Sequence, residues 1–252
     1  DFFVGGAQRT PGALYLQTRD GGFLRKNLSQ SYGSDDLGTL LFDADGDDDL
    51  DLYVVSGGNE QMAEVSYYQD RLYNNDGQGN FTYNSKALPR MFESGSCVTA
   101  ADYDGDEDLD LFIGGKIHPG KYPLPGKSYL LRNDGGTFTN VTDEVCGPSF
   151  ARMGMVTSAL WTDFNDDGNI DLIVVGEWMP VTFYKNEKGR FVNVTLELGL
   201  QNTTGWWNSI TSGDFDSDGD TDYMLGNCGK NSRYKPTTEE PLTLYTKDFD
   251  EN

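Results

Sequence analysis

A nine-residue Asp-rich loop recurs four times along this chain, and each copy runs straight into a short apolar stretch. The copies read DADGDDDLD (43–51), DYDGDEDLD (102–110), DFNDDGNID (163–171) and DFDSDGDTD (214–222), with starts 59, 61 and 51 residues apart. The stretches that follow are LYVVSGG, LFIGG, LIVVGEW and YMLGN. A repeat of this length points to an array of supersecondary units, each burying its apolar faces against its neighbours.

Two further elements share the period. Runs around a Gly-containing turn recur as LYLQTRDGGFLRKN (14–27), LYNNDGQGNFTYN (72–84), YLLRNDGGTFTNVT (129–142) and FYKNEKGRFVNVT (183–195). This is a hairpin pattern. A third stretch precedes each of the last three loops: SCVTAADY, MVTSALWTDF and NSITSGDF. Each unit therefore offers about four strands, and the expected fold is all-β, a β-propeller of four-stranded antiparallel blades. Residues 1–252 read as one repeat domain with units near 1–42, 43–101, 102–162, 163–213 and 214–252. Asp1-Phe2-Phe3-Val4-Gly5-Gly6 matches Asp110-Leu111-Phe112-Ile113-Gly114-Gly115, and Asp248, Asp250 and Asn252 fit positions 1, 3 and 5 of a further loop. The expectation is about four and a half repeats of a larger propeller.

The loops carry the candidate chemistry. Ca²⁺ takes 6–8 oxygen ligands in flexible geometry. Positions 1, 3, 5 and 9 would supply side-chain oxygens: Asp43, Asp45, Asp47 and Asp51; Asp102, Asp104, Asp106 and Asp110; Asp163, Asn165, Asp167 and Asp171; Asp214, Asp216, Asp218 and Asp222. Position 7 would offer its backbone carbonyl, from Asp49, Asp108, Asn169 and Asp220. So many carboxylates repel one another unless a cation lies between them. About four Ca²⁺ sites are expected. An EF-hand would need Glu at position 12, where the third and fourth loops have Val174 and Leu225. Magnesium prefers a smaller octahedral site with retained waters. Gly168 and Gly219 hold position 6 in the last two loops, whereas Asp48 and Glu107 stand there in the first two, with Gly46 and Gly105 at position 4. Glu tolerates a left-handed backbone poorly, so the second loop is expected to bind most weakly.

Composition narrows the partners. The formal charge is −22, which disfavours nucleic acid and anionic lipid. One His and three Cys with no C-x-x-C pair argue against a zinc site, and the odd count leaves at least one thiol unpaired within the chain. No apolar run reaches the ~20 residues of a spanning helix. No nucleophile elbow, H-E-x-x-H or P-loop is present.

The extended units GKSYLLRNDGGTFTNVT, GMVTSALWTDFNDDGNIDLIVVGEWMP and GWWNSITSGDFDSDGDTDYMLGN resemble the FG-GAP/VCBS repeat family. That family includes the integrin α-subunit propeller and cartilage acidic protein-like proteins, and the likeness is to the exported bacterial type. The resemblance implies a propeller with calcium between the first and second strands of each blade. The first two loops depart from the family's D-x-D-G-D-G-x-x-D form at position 6.

In such a blade the calcium loops share one face. The variable segments 57–70, 116–128, 143–155 and 196–207 share the other, and that face collects His118, Tyr122, Trp178, Trp206 and Trp207. Exposed aromatics in variable loops suit recognition of a protein or glycan, although paired Trp residues also seal gaps between blades. The leading expectation is a non-catalytic, calcium-stiffened interaction module, extracellular, at the cell surface or associated with a bacterial outer membrane. The alternatives are a lyase-type polysaccharide-active enzyme and a structural spacer in a surface assembly.

Overall fold

The computed structural model describes residues 1–31, 33–61, 65–230, 233–237 and 239–247. The protein is all-β, with antiparallel sheets that follow one another along the chain. The first sheet holds β1 (Phe2–Val4), β2 (Ala13–Gln17) and β3 (Phe23–Asn27). The second holds β4 (Asp35–Phe42), β5 (Asp51–Gly57), β6 (Arg71–Asn74) and β7 (Thr82–Tyr83). The third holds β8 (Ser94–Ala101), β9 (Asp110–Ile117), β10 (Tyr129–Asn133) and β11 (Phe138–Asn140). The fourth holds β12 (Met155–Thr162), β13 (Asp171–Met179), β14 (Thr182–Asn186) and β15 (Phe191–Asn193). The strands β16 (Gly205–Gly213) and β17 (Asp222–Asn227) begin a fifth.

The apolar stretches after the Asp loops become the most buried strands. Every residue of β5 is buried, as are the first six of β9 and of β13. A continuous apolar run suits a strand covered on both faces, and here the covers are the neighbouring sheets. Side chains alternate between faces along a strand. Leu52 and Val54 pack toward Leu14 and Leu28 of the first sheet's side. Tyr53 and Val55 turn the other way, onto Leu111, Ile113 and Leu131. Phe112 packs with Val156, Leu172 and Val174, while Ile173 and Val175 meet Ile210 and Leu225. Each second strand is thus the centre of two cores.

The first strands touch in series: β4 lies against β8, β8 against β12, and β12 against β16. The approach is backbone-close, since a Cβ on Gly38 would stand 2.9 Å from the Cys97 Cα. A bulge in each of β8 and β12 re-aims one hydroxyl across this seam. Ser96 Oγ lies 2.7 Å from the Val156 carbonyl oxygen, and Thr157 Oγ1 lies 2.9 Å from that of Trp207.

The array departs from separate four-stranded units in three ways. The end of the long strand β13 pairs with β16, Glu177 opposite Trp206 and Met179 opposite Gly205, so the fourth and fifth sheets form one six-stranded sheet. The fifth has no hairpin among the described residues; Asp248, Asp250 and Asn252 lie outside them. Unit borders drawn at the loop starts, residues 43, 102, 163 and 214, cut through sheets, because the strand before each loop pairs with the strand after it. The row of sheets is open, not a closed ring. Cys97, Cys146 and Cys228 are all free thiols.

Candidate metal loops and the opposite sheet ends

Each Asp loop is the turn between the first and second strands of a sheet, and its backbone is folded around its own carboxylates. The position 1 carboxylate gathers the amides of the next turn. Asp43 accepts from Gly46, Asp47 and Asp48 at 2.8, 3.3 and 3.0 Å. Asp102 accepts from Gly105, Asp106 and Glu107 at 2.7, 3.2 and 3.0 Å. Asp163 takes the amides of Asp167 and Gly168, and Asp214 those of Ser217 and Gly219. The position 5 carboxylates of Asp47, Asp106, Asp167 and Asp218 accept from the position 7 amides of Asp49, Asp108, Asn169 and Asp220.

Position 9 has a second duty. Asp51, Asp110 and Asp171 are fully buried at the first residue of the second strand. Asp51 accepts from the amides of Ala44 and Asn75, Asp110 from Tyr103 and Asn133, Asp171 from Phe164 and Asn186. One carboxylate thereby ties the loop to the hairpin of its own sheet. The hairpin Asn then reaches the previous sheet: Asn133 donates to the Ala44 carbonyl at 2.9 Å, and Asn186 to that of Tyr103 at 2.8 Å.

The donor set fits a hard divalent cation. Oxygens of Asp43, Asp45 and Asp51 lie within 4.8 Å of one another, as do those of Asp102, Asp104 and Asp110, and of Asp214, Asp216 and Asp218. Asp47, Asp106 and Asp222 stand outside these triplets. The third loop has Asn165 at position 3, and Lys185 approaches Asp167 at 3.3 Å. Burial, opposed by two backbone hydrogen bonds and reinforced by Asp104 and Asp106, pushes Asp110 up to about 7. Burial raises Asp51 and Asp171 as well. Asp167 moves the other way, lowered first by the Asn169 amide and then by Lys185.

Backbone strain is shared differently from the sequence expectation. All four loops place positions 4 and 6 in the left-handed region, and each fills only one of them with Gly. The non-Gly occupants are Asp48 (φ 68°), Glu107 (φ 74°), Asp166 (φ 56°) and Ser217 (φ 67°). The last two loops are therefore strained at position 4, and Glu107 of the second loop remains the occupant least suited to this backbone. Left-handed backbone costs an L-residue roughly 1–2 kcal/mol, less for Asp than for Glu. Glu107→Gly is expected to raise stability by about 0.5–1 kcal/mol, after the entropy cost of Gly. Asp48→Gly should gain less. Thermal melts of the two variants side by side check the order.

The strand register puts a second group of features at the far ends of the sheets. Ser94 pairs with Ile117, and Met155 with Glu177, so residues following β9 and β13 lie away from the loops. There Trp178 donates its indole N–H to the Tyr122 hydroxyl at 3.0 Å and meets Trp206 at 5.4 Å between ring centroids. Trp178 holds φ 60°, a strain that persists only when the surroundings enforce it. Tyr122 and Trp206 are exposed. Two expectations change. Trp207 points inward, packed with Ile173 and Val175 and bonded to the Thr203 carbonyl, so it belongs to the core. His118 is not an open surface residue: its side chain is 16% exposed and its Nδ1 sits 3.8 Å from Glu93. Arg152 lies 3.8 Å from the same carboxylate. Nearby is a cavity of about 250 Å³ lined by Lys127, Tyr129 and Arg152.

The sequence reading passed over Asp36, Asp70 and Arg71, a buried charged group at the far end of the second sheet. One signal was available. In the aligned hairpins Asp70-Arg71 stands where Ser128-Tyr129 and Val181-Thr182 stand. In the last two hairpins Asn140 and Asn193 accept from the Thr142 and Thr195 amides at 3.1 and 3.0 Å.

These features define an all-β repeat protein with an acidic loop between the first and second strands of its last four repeats. The FG-GAP-like repeat family matches residues 43–113 and 163–225, more than half of the chain, and the protein belongs to that family. No curated protein sequence matches it. Among solved structures, one described as the recognition of non-reducing terminal N-acetylglucosamine by an Agrocybe aegerita lectin is 16% identical, with a TM-score of 0.47. The match covers 88% of this chain and 52% of that one, so the chain spans about half its length.

Proposed function

We propose that this chain is part of a calcium-stiffened β-propeller that serves as a non-catalytic interaction module of an exported or cell-surface protein. Asp43, Asp45 and Asp51, with their counterparts in the other three loops, would hold the cation, which supplies the positive charge that lets these carboxylates lie close together. Extracellular calcium modules bind at only ~10⁻⁴–10⁻³ M, which suits an exported location. The partner, a protein or glycan, would be met at the sheet ends opposite the loops.

One observation carries the recognition face: Tyr122 from the segment after β9, Trp178 from β13 and Trp206 from β16 are assembled into one group, exposed at Tyr122 and Trp206, with Trp178 held in a costly backbone conformation. Aromatic clusters of this kind supply anchoring contacts. Wild type and Trp206→Ala are to be compared on an array of glycans and immobilised extracellular-matrix proteins. Binding that falls about tenfold in the variant at unchanged Tm supports the reading; equal binding by both sinks this surface.

A second reading, a lyase-type enzyme, draws on the half-buried group His118, Glu93 and Arg152 beside the Tyr129 cavity. Release of unsaturated oligosaccharide from acidic polysaccharide would favour it. Neither binding nor product release would leave the spacer.

A further inference from the structure

Asn133 and Asn186 end β10 and β14, the third strands of the third and fourth sheets, and each is 1% exposed. Asn133 is bonded in two directions. Its amide donates to Asp110 Oδ1 at 2.8 Å, at position 9 of the loop in its own sheet. Its Nδ2 donates to the Ala44 carbonyl at 2.9 Å, at position 2 of the previous sheet's loop, and its Oδ1 accepts from the Gly136 amide at 2.9 Å. Gly136 is seated on the next residue of that earlier loop: a Cβ on it would stand 2.8 Å from the Asp45 Cβ. Asn186 repeats the pattern one sheet further on. It donates from its amide to Asp171 Oδ1 at 2.7 Å and from Nδ2 to the Tyr103 carbonyl at 2.8 Å, and accepts from the Gly189 amide at 2.7 Å. Asn75, at the same place after β6, bonds within its own sheet, to Asp51 and to the Leu50 carbonyl.

The Ala44 and Tyr103 carbonyls each lie one residue before a candidate ligand, Asp45 or Asp104, and the position 9 carboxylates are candidate ligands themselves. One buried Asn therefore links the oxygen donors of two successive loops. A loop without a cation is splayed by its own carboxylates, which withdraws the position 2 carbonyl from the Asn. A buried amide donor left without an acceptor is penalised. The hairpin and the position 9 carboxylate it holds then lose order together. The gathered and splayed arrangements of the loop supply the two-state element that coupling requires, and coupling between sites is reciprocal.

We propose that Asn133 and Asn186 are positioning residues that couple cation binding at adjacent loops, first to second and second to third, so that a filled loop raises the affinity of its neighbours. The proposal rests on the calcium reading above and adds that the sites are not independent. The test is an NMR titration of the full chain with CaCl₂, following the amides of Gly46, Gly105, Gly168 and Gly219. Each donates to the position 1 carboxylate of its own loop, so each reports one loop. Asp104→Ala/Asp106→Ala disables the second loop at two exposed positions. The variant loses two carboxylates together with one divalent cation, so this loop keeps the net charge of the filled wild-type loop and long-range repulsion is held constant. The calcium midpoints of Gly46 and Gly168 should rise about fivefold or more. Gly219, whose loop has no such link to the second among the described residues, should stay within about twofold. Asn133→Ala, made in both backgrounds, should erase the shift at Gly46 and keep that at Gly168; a role confined to stability would weaken binding without removing the shift. An unshifted midpoint at either Gly46 or Gly168 overturns the proposal and leaves calcium binding standing. An equal shift at all of the other three loops overturns it too, as does a Gly46 shift that survives Asn133→Ala. No response to calcium in the wild type, or an unchanged Gly105 midpoint in the double variant, overturns the calcium reading and this proposal with it. If Asn133→Ala does not fold, the Asp104→Ala/Asp106→Ala arm decides.

Discussion

Excess EDTA added to the calcium-equilibrated chain is expected to lower Tm by roughly 20–40 °C. The magnitude follows from linkage. A ligand that binds only the folded state stabilises it by about 2.7 kcal/mol per site at a hundredfold excess over Kd. For a chain of this size each kcal/mol moves Tm by about 2–4 °C, and four loops act together. Without a cation the loops oppose folding: three of them hold three carboxylates with oxygens within 4.8 Å, and burial drives Asp110 up to about 7. Metal analysis after gel filtration should give about four Ca²⁺ per chain, with the third loop emptying first. That loop has Asn165 at position 3 and Lys185 beside Asp167, so a cation there meets fewer free carboxylates. Magnesium should restore only part of the lost Tm, because it prefers a smaller octahedral site. An unchanged Tm with no bound metal would reduce the loops to Asp-rich turns held by their own hydrogen bonds.

What the sequence made legible was local. The runs LYVV, LFI and LIVV have no polar alternation, and a strand with no polar face must be covered on both sides; β5, β9 and β13 are. The F-T-N-V-T and F-V-N-V-T endings marked the hairpin strands because the Asn side chains bond within them. What was not legible depended on distant partners. Trp206 and Trp207 are adjacent and chemically identical, and only the register of β16 against β13 and β17 decides which faces the core. The pairing of β13 with β16 depends on how two sheets meet, which no periodicity encodes. Arg71 and Asp36 are far apart in sequence, and neither is remarkable until the fold buries both. Asp166 and Ser217 look unstrained in a sequence where Gly follows two residues later, yet both hold positive φ.

Asp110→Ala and Asp106→Ala should separate architecture from metal binding within one loop. Asp110 is fully buried and accepts from the Asn133 and Tyr103 amides at 2.8 and 3.3 Å. Its removal leaves both donors without an acceptor, at about 1–3 kcal/mol each, and relief of repulsion from Asp104 and Asp106 offsets part of that. The variant should therefore lose about 1–3 kcal/mol even in EDTA, and more in calcium. Asp106 is exposed and accepts only from the Asp108 amide. In EDTA, Asp106→Ala should stay within about 0.5 kcal/mol of wild type, because nothing buried depends on it. In calcium it should lose up to about 2.7 kcal/mol, the linkage term of one site. Urea unfolding of both variants in each condition reads these four numbers directly. Equal losses for the two in EDTA would mean that Asp110 does not tie loop to hairpin. Equal stability of Asp106→Ala and wild type in calcium would remove position 5 from the ligand set. The asymmetry has a physical origin: the loop's last carboxylate is built into the sheet, so each site is half assembled before any cation arrives, and the exposed carboxylates complete it.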